Sequence, residues 1–312
     1  MITTLSITDI IHATTQKLRT RYQHEELCMQ YAWWMLTAIT GRRKEELLAN
    51  HALFLTPSHL EELETWIYRQ CHEHMPLQYL LGTVPFLDLE LFVEPPILIP
   101  RPETEEWVAR LCTTLQGLSN KKLRIIDIGT GTGCIALSLA HALPKSEVIA
   151  LDINPQALEL ARKNATHNKI TNVTFIQSDL FAQVHGTADL IVSNPPYISE
   201  DELSSLDASV VLWEDLQALQ ADDHGLGVIK KIIEQAPGYL SPHKKELNTK
   251  GIPQLMIEIG YRQGPGVLDL MQQAGYIKVT LDRDLAGHDR VVQGMRKDVA
   301  QKKSGIGKYR HS

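Results

Sequence analysis

From residue 123 onward, segments with strand character alternate with segments with helix character, and this alternation limits the possible folds more than any other feature. The predicted strands occupy residues 123–129, 147–153, 173–180, 188–194, 254–260 and 276–284, and the clearest helices between them occupy 134–143 and 155–165. Such alternation favours an α/β domain whose mostly parallel sheet carries helices on both faces. Ligands of such sheets bind at the carboxyl ends of the strands.

The first 80 residues have a different pattern and predict a small, all-helical domain. They contain almost no glycine, and their apolar residues recur at helical spacing. We expect one buried face from Ile7, Ile10, Ile11 and Leu18, another from Leu27, Cys28, Tyr31 and Trp34, and a third helix with Leu60, Leu63, Ile67 and Cys71 on its apolar stripe. The Trp33-Trp34 pair is expected in the core or between the domains.

Residues 81–100 join these two parts and alternate with period two. Leu87, Leu89, Leu91 and Val93 predict a β-hairpin linker. The segment RPETEEW at 101–107 then opens a helix, with proline near the start and acids in the first turn. We therefore expect the α/β domain to span residues 101–296 and a basic, flexible tail to span 297–312.

Composition narrows the functional classes. The net charge of −6 gives no sign of a general nucleic-acid groove, and no run is long and apolar enough to span a membrane. Four scattered cysteines predict neither a zinc site nor a disulfide framework. The start of the sequence lacks the basic and apolar regions of a secretory signal and contains Asp9, Glu25 and Glu26. We expect a bacterial-type cytoplasm, with the mitochondrial matrix as the alternative.

A glycine-rich loop follows the first strand of the α/β domain. It reads DIGTGTGC from Asp127 to Cys134, whereas dinucleotide-binding loops read G-x-G-x-x-G and P-loops end in G-K-[ST]. The next strand ends at Asp152, where a carboxylate can bind both ribose hydroxyls, and a third ends at Asp179-Leu180, beside an expected adenine. A loop without a phosphate-binding lysine suits S-adenosylmethionine, whose positive charges Asp127 would favour. An ordinary strand-to-helix turn is the alternative.

The tetrad Asn194-Pro195-Pro196-Tyr197 ends the predicted strand at 188–194. The Asn194 side-chain oxygen and the Pro195 carbonyl can accept both N–H bonds of a planar amide or amine, and Tyr197 can stack on it or bind it through its hydroxyl. This arrangement supports methyl transfer to a nitrogen by positioning, without a strong base. A simple strand end is the alternative.

DIGTGTG followed by SNPPY resembles amino-group methyltransferases that use S-adenosylmethionine. With MPLQYLLG and LIPRPETEEWV upstream, nearly the whole chain resembles the PrmC/HemK family, the N5-glutamine methyltransferases of class I peptide chain release factors. The resemblance implies a Rossmann-like class I methyltransferase domain preceded by a small all-helical domain that docks the substrate. It also implies methylation of the glutamine in the GGQ loop of the release factor, in support of translation termination, by a monomer that binds no DNA directly.

The resemblance also assigns residues. Cofactor contacts fall on Gly129, Thr130, Gly131, Thr132, Gly133, Asp152, Asp179, Leu180 and Asn194; catalytic roles fall on Asn194, Pro195 and Tyr197; and the glutamine pocket falls on Asn194, Pro195, Pro196 and Tyr197. Arg101 and Glu103 are expected to border the cofactor site, with an ion pair at a helix start as the alternative.

The chain departs from the family pattern at three places. Asp215 replaces the proline of the usual aromatic-Glu-Pro segment, SPHKKELNTKGIPQ at 241–254 replaces a short turn and predicts a surface loop, and His288 replaces asparagine in the closing N-[DE]-R-V motif. Two other functions stay open at this point. One is a DNA or RNA adenine methyltransferase, which also uses N-P-P-Y, and the other is a methyltransferase-like fold retained as a binding module.

Overall fold

The computed structural model describes residues 6–49 and 55–297. The predicted tail therefore lies outside the described residues except for Lys297, and so do residues 1–5 and 50–54 of the predicted helical domain. Within the described part, no helix combines the length and the apolar character needed to cross a membrane.

The N-terminal part of the chain consists of helices. Its helices are α1 (Ile7–Leu18), α2 (Glu25–Thr40), α3 (Lys44–Ala49), α4 (Pro57–His72) and α5 (Leu77–Leu81). Capping boxes start two of them: Ser6 pairs with Asp9 at α1, and Thr56 pairs with His59 at α4. Such caps satisfy backbone N–H groups that have no partner within the helix.

The predicted apolar face of α2 is partly wrong. The helix buries Cys28, Ala32, Met35 and Leu36, whereas Trp34 is 42% exposed and stacks on Tyr31 at the surface. Apolar residues cover more than half of this helix, so spacing alone does not identify the side that meets α1 and α4. The predicted core position of Trp34 is therefore wrong, while Trp33 packs partly buried against the helical core.

A two-stranded antiparallel hairpin follows, formed by β1 (Thr83–Phe86) and β2 (Leu89–Phe92). Leu89, Leu91 and Val93 are buried as the alternation predicts. Leu87 is not part of a strand, because it occupies the turn with a φ of 51°. Its backbone N–H donates to the Glu105 carboxylate.

Seven strands form the main sheet: β3 (Arg124–Ile128), β4 (Glu147–Asp152), β5 (Val173–Gln177), β6 (Leu190–Ser193), β7 (Leu255–Glu258), β8 (Tyr276–Arg283) and β9 (Asp289–Arg296). Their order across the sheet is β5-β4-β3-β6-β7-β9-β8. The pairs among the first five strands are parallel, and β9 runs antiparallel to both of its neighbours. The order reverses direction between β3 and β6, where α/β sheets bind their ligands.

The remaining helices are α6 (Pro102–Leu115), α7 (Cys134–Ala142), α8 (Pro155–His167), α9 (Glu200–Leu203), α10 (Ala208–Trp213), α11 (Asp222–Gly225), α12 (Gly227–Gln235), α13 (Lys245–Thr249) and α14 (Gly264–Gln273). Single 3-10 turns lie at Gln116–Leu118, Leu216–Ala218 and Ala236–Gly238. Within β3, Ile125 belongs to a core shared with α6 and α7, while Ile126 and Ile128 belong to one shared with α12 and α14. The predicted α/β class, with helices on both faces of a mostly parallel sheet, is confirmed.

The insertion at 241–254 is more than the surface loop that its composition predicts. It contains α13, and both Leu247 and Ile252 are 1% exposed within the core beside α6. Lys244 forms an ion pair with the buried Asp189. Because only two apolar side chains anchor a polar segment, local composition does not reveal this packing.

Candidate functional site

A cavity of about 280 Å³ opens at the carboxyl edge of the sheet, between β3, β4, β5 and β6. The loop from β3 to α7 forms its floor, with Gly129 and Gly131 at φ values of 73° and 54°. Glycine adopts this left-handed conformation at little cost. A Cβ on Gly131 would meet no atom within 4 Å, so the loop backbone there faces open space.

Most of the predicted site residues meet at this cavity. Its wall includes Gly129, Gly131, Asp152, Asp179, Leu180, Asn194, Pro195 and Pro196. Thr130, Thr132 and Gly133 are not on its wall. The two threonines are buried, and Gly133 turns toward Leu137 and Ala161. A Cβ at Gly133 would come within 3.1 Å of Leu137 Cδ1, so this glycine serves the packing of the loop onto α7 and α8.

Asp152 connects the glycine loop to the end of β4. Its Oδ2 accepts a hydrogen bond from the Gly131 N–H at 2.8 Å, and its Oδ1 accepts one from the Asn154 N–H at 2.9 Å. Burial raises the pKa of this carboxyl group, and the backbone N–H bonds oppose that shift. A carboxylate has about four acceptor positions, so both oxygens can accept further hydrogen bonds from a ligand.

Asp127 lies beneath the loop and is fully buried. Its Oδ2 accepts hydrogen bonds from the Thr130 hydroxyl and the Ala136 N–H, whereas its Oδ1 has no partner among the described residues. Burial raises the pKa of Asp127 to about 7. Unpaired buried carboxylate oxygens are costly unless a donor or cation approaches, which fits a positively charged ligand above this loop.

Leu180 lies at the far end of the cavity in a backbone conformation that is rare for leucine. Its φ is 48°, and the Ser178 hydroxyl holds it by donating to the Leu180 carbonyl at 2.8 Å. Strained residues of this kind persist only where the surroundings impose them, and they concentrate at ligand sites. Asp179 is exposed beside it, so this end offers an apolar side chain and a carboxylate.

A second cavity of about 180 Å³ adjoins the first and shares Leu98, Asn194, Pro195 and Ala218 with it. Its other lining residues are Arg101, Tyr197, Ile198, Leu206, Val210 and Leu219. Burial raises the pKa of Tyr197 to about 12, so the phenol keeps its proton near neutral pH. This cavity is mostly apolar, and its one charged side chain, Arg101, is already paired.

Arg101 forms an ion pair with Glu214, whose side chain is 1% exposed. This contact ties the start of α6 to the segment after α10, and it is the ion pair at a helix start that the sequence left open as the alternative. Arg101 lies on the wall of the smaller cavity and not on the wall of the larger one that suits the cofactor. Glu103 is exposed and lies on neither cavity wall, so its predicted position at the cofactor site is wrong. In the first turn of α6 the inward-facing position belongs to Thr104.

The side-chain amide of Asn194 is held by a hydrogen bond to the first turn of α6. Its Nδ2 donates to the Thr104 hydroxyl at 3.2 Å, and that hydroxyl donates to Glu258 Oε2 at 2.8 Å. Trp107 Nε1 donates to the same oxygen at 2.7 Å. Burial raises the pKa of Glu258, while these two donors and the Arg290 guanidinium oppose the shift.

Arg290 belongs to the closing GHDRVV segment and is the second residue of β9. Its guanidinium binds the Asp284 carboxylate at 3.0 Å and the Ile259 carbonyl at 3.3 Å. Its charge also acts on Tyr197 and Glu258. The exposed His288 supplies a backbone N–H and a carbonyl to Asp284, so replacing asparagine there leaves the turn intact.

The charges on the larger cavity wall fit a cationic nucleoside. Its charged side chains are Asp152, Asp179, Asp215 and Lys231, which gives an excess of carboxylates. Phosphate groups would be repelled there, whereas a sulfonium and an ammonium group are favoured. Asp152 would hold the ribose, Leu180 and Asp179 would border the adenine, and the backbone at Gly129 and Gly131 would border the methionine part.

This sheet order, glycine loop and strand-end acid define a class I, S-adenosylmethionine-dependent methyltransferase fold. The family model for the methyltransferase small domain matches residues 109–220, and the one for the PrmC N-terminal domain matches residues 9–82. Three proteins described as release factor glutamine methyltransferases are similar over most of the chain. They come from Lactococcus lactis (40% identity, 74% of this chain and 81% of that protein), Escherichia coli K12 (39%, 83% and 89%) and Flavobacterium psychrophilum (34%, 89% and 95%).

The chain belongs to the release factor glutamine methyltransferase family, as its motifs predict. It is accordingly an enzyme, a methyltransferase that uses S-adenosylmethionine. The retained-fold alternative and the nucleic-acid alternative both lack support from these relatives.

Sequence reasoning missed Thr104, Trp107 and Glu258. One signal was available for Glu258, because QLMIEIG places a single acid at the end of a buried apolar strand. A buried acid requires hydrogen-bond donors or a cation. Its partners in α6 are about 150 residues away, and nothing in the sequence pairs them.

Proposed function

We propose that this protein transfers a methyl group from S-adenosylmethionine to the side-chain amide nitrogen, N5, of the glutamine in the GGQ motif of class I peptide chain release factors. The observation that carries the proposal is the pair of cavities that meet at Asn194 and Pro195. The larger, acidic cavity suits the cofactor, and the smaller, mostly apolar cavity suits an uncharged side chain.

The chain's own groups would act mainly by positioning. When bound, the cofactor supplies a methyl electrophile on a positively charged sulfur. The Asn194 side-chain oxygen and the Pro195 carbonyl would accept the two N–H bonds of the glutamine amide and keep its plane fixed. Tyr197, which keeps its proton, would pack against the amide or donate to its oxygen. The reaction requires no strong base, because an amide nitrogen that carries the new methyl group readily releases its proton to water.

The helical part is the proposed docking surface for the release factor. It lies against the segment that forms one wall of the smaller cavity: Arg21 forms an ion pair with Asp207 at 2.8 Å, and Trp213 Nε1 donates to the Glu73 carbonyl at 2.8 Å. Leu212 is 62% exposed beside these contacts. A single glutamine offers too little surface for selectivity, so a second contact area is needed.

The proposal also covers the division of the chain into domains, the cellular compartment and the oligomeric state. Residues 1–80 would dock the substrate, 81–100 would link, 101–296 would carry the chemistry, and the basic residues at 297–312 would form a tail. The bacterial sources of the relatives support a bacterial-type cytoplasm, and the net charge of −6 supports the absence of direct DNA binding. We propose that the protein acts as a monomer.

The test is mass spectrometry of a purified class I release factor after incubation with the protein and S-adenosylmethionine. We expect one added methyl group on the GGQ glutamine, and a severe reduction of this methylation with Asn194→Ala. Asn248→Ala is the matched control, because Asn248 is exposed on α13. Methyl label in DNA or RNA with none on the release factor would refute the proposal, and so would full activity of Asn194→Ala.

A further inference from the structure

Thr104 and Glu258 connect the first turn of α6 to the site without lining either cavity. Thr104 is 2% exposed and Glu258 is 1% exposed. The Thr104 hydroxyl lies 2.8 Å from Glu258 Oε2 and 3.2 Å from Asn194 Nδ2. The contacts therefore form a chain that runs from a buried acid, through one hydroxyl, to the side chain at the meeting point of the two cavities.

The donors and acceptors available to these three side chains determine the direction of each hydrogen bond between them. An ionised carboxylate only accepts hydrogen bonds, and the indole N–H of Trp107 only donates. In the ionised state of Glu258, which the Arg290 charge and the two donors favour, the Thr104 hydroxyl donates its single proton to the carboxylate in a hydrogen bond. The hydroxyl oxygen can then only accept, so the group of Asn194 that faces it must be the amide NH₂.

An asparagine amide has two ends of similar shape that exchange when the group rotates by half a turn. Only the oxygen end can accept an N–H from a substrate amide; the NH₂ end would oppose it donor to donor. Because the NH₂ group is bound to Thr104, the Asn194 oxygen is left for the space where the cavities meet. A rotated amide would lose this hydrogen bond and leave the buried Thr104 hydroxyl without its second partner.

We propose that Thr104, held by Glu258, is a positioning residue that selects the amide orientation of Asn194 in which the oxygen faces the substrate. The inference rests on the proposed function, because it assumes that Asn194 accepts an N–H from the glutamine amide. Trp107 assists by occupying the same carboxylate oxygen, which keeps Glu258 in place. Thr104 itself touches neither cofactor nor substrate.

The test compares Thr104→Val, which has nearly the same shape but no hydroxyl, with Thr104→Ser, which keeps the hydroxyl. With a GGQ-containing release factor as substrate, we expect the valine variant to lose about tenfold to a hundredfold in kcat, the range typical of a misplaced positioning group. The serine variant should stay within about threefold of the wild type. Calorimetric affinity for S-adenosylhomocysteine should change little in both variants. The melting temperature should fall in the valine variant alone, because the buried Glu258 carboxylate loses one of its donors there. If Thr104→Val does not fold, Thr104→Ala takes its place.

A double substitution separates positioning from general damage. In an Asn194→Ala background, Thr104→Val should produce no further loss of kcat, because Thr104 acts through Asn194 alone. A kcat for Thr104→Val within twofold of the wild type overturns the inference. So does a serine variant as slow as the valine variant, or a full additional loss in the double variant. Absence of methylation by the wild type would instead overturn the proposed function itself.

Discussion

Replacing Gly133 with alanine tests whether the glycine loop is held by packing from below. Gly133 has a φ of 86°, and a Cβ built there would lie 3.1 Å from Leu137 Cδ1 and 3.2 Å from the Ala161 Cβ. The left-handed conformation costs about 1–2 kcal/mol for a residue with a Cβ. Relieving contacts of this kind in a packed core costs about 1–3 kcal/mol more.

Alanine also lowers the entropy of the unfolded chain, which offsets roughly 0.4–1 kcal/mol of this cost. We therefore expect Gly133→Ala to lower the free energy of unfolding by about 1–4.5 kcal/mol. In a domain of this size that corresponds to a fall in melting temperature on the order of 10 °C. The affinity for S-adenosylhomocysteine should fall too, because Gly133 closes the loop whose Gly131 N–H binds Asp152.

Gly266→Ala is the matched control for this experiment. Gly266 lies in α14, has no positive φ, and a Cβ there would meet no atom within 4 Å. Alanine at such a helical position should stabilise the protein by up to about 1 kcal/mol. Thermal unfolding followed by circular dichroism, with and without S-adenosylhomocysteine, compares the two variants. A Gly133→Ala protein as stable as Gly266→Ala, with unchanged ligand affinity, would refute the reasoning.

Three further predictions follow from single contacts. The pKa of Asp127, raised to about 7, exceeds its ordinary value, so the folded state holds a proton that the unfolded state releases, and stability falls as pH rises toward 7. Between pH 5 and pH 8 the wild type should lose up to roughly 3 kcal/mol more than Asp127→Asn in denaturant titrations, and parallel curves would contradict this. Asp152→Ala should weaken S-adenosylhomocysteine binding at least tenfold in calorimetry, whereas the exposed-acid control Asp269→Ala should not. Asp215→Pro should lower the free energy of unfolding by about 1 kcal/mol, because the Asp215 N–H donates to the Pro96 carbonyl at 2.7 Å; an unchanged melting temperature would show that this bond contributes nothing.

The architecture was predictable from the sequence because its signals are local. Strand ends such as Asp152 and Asn194 follow apolar runs directly, and a parallel sheet brings those ends to one edge. The glycine loop could be located for the same reason. Its individual members could not be separated, since Gly131 faces the cavity and Gly133 faces Leu137 although both have positive φ values. The side that a residue of this loop faces depends on how α7 and α8, which follow it in the sequence, pack against the loop.

The parts that could not be predicted depend on contacts between distant segments. Trp34 lies on an apolar helix whose buried side is chosen by α1 and α4, so its exposure is a tertiary property. Leu247 and Ile252 anchor the insertion at 241–254 in the hydrophobic core, and the polar composition of the insertion does not predict this packing. The replacement of the family's proline by Asp215 is explained by a contact in the folded protein. The Asp215 N–H donates a backbone hydrogen bond, which proline cannot do.

Acidic groups at three strand ends give the site a common electrostatic character. Asp152 and Glu258 are the last residues of β4 and β7, Asp127 is the second-last residue of β3, and burial raises the pKa of each carboxyl group. Glu258 has Arg290 as a neighbouring cation, whereas Asp127 and Asp152 also repel each other. Two partly uncompensated carboxylates under one cavity disfavour any ligand that carries phosphates. A cationic nucleoside instead supplies the missing charge, which explains why a glycine loop of this kind needs no lysine.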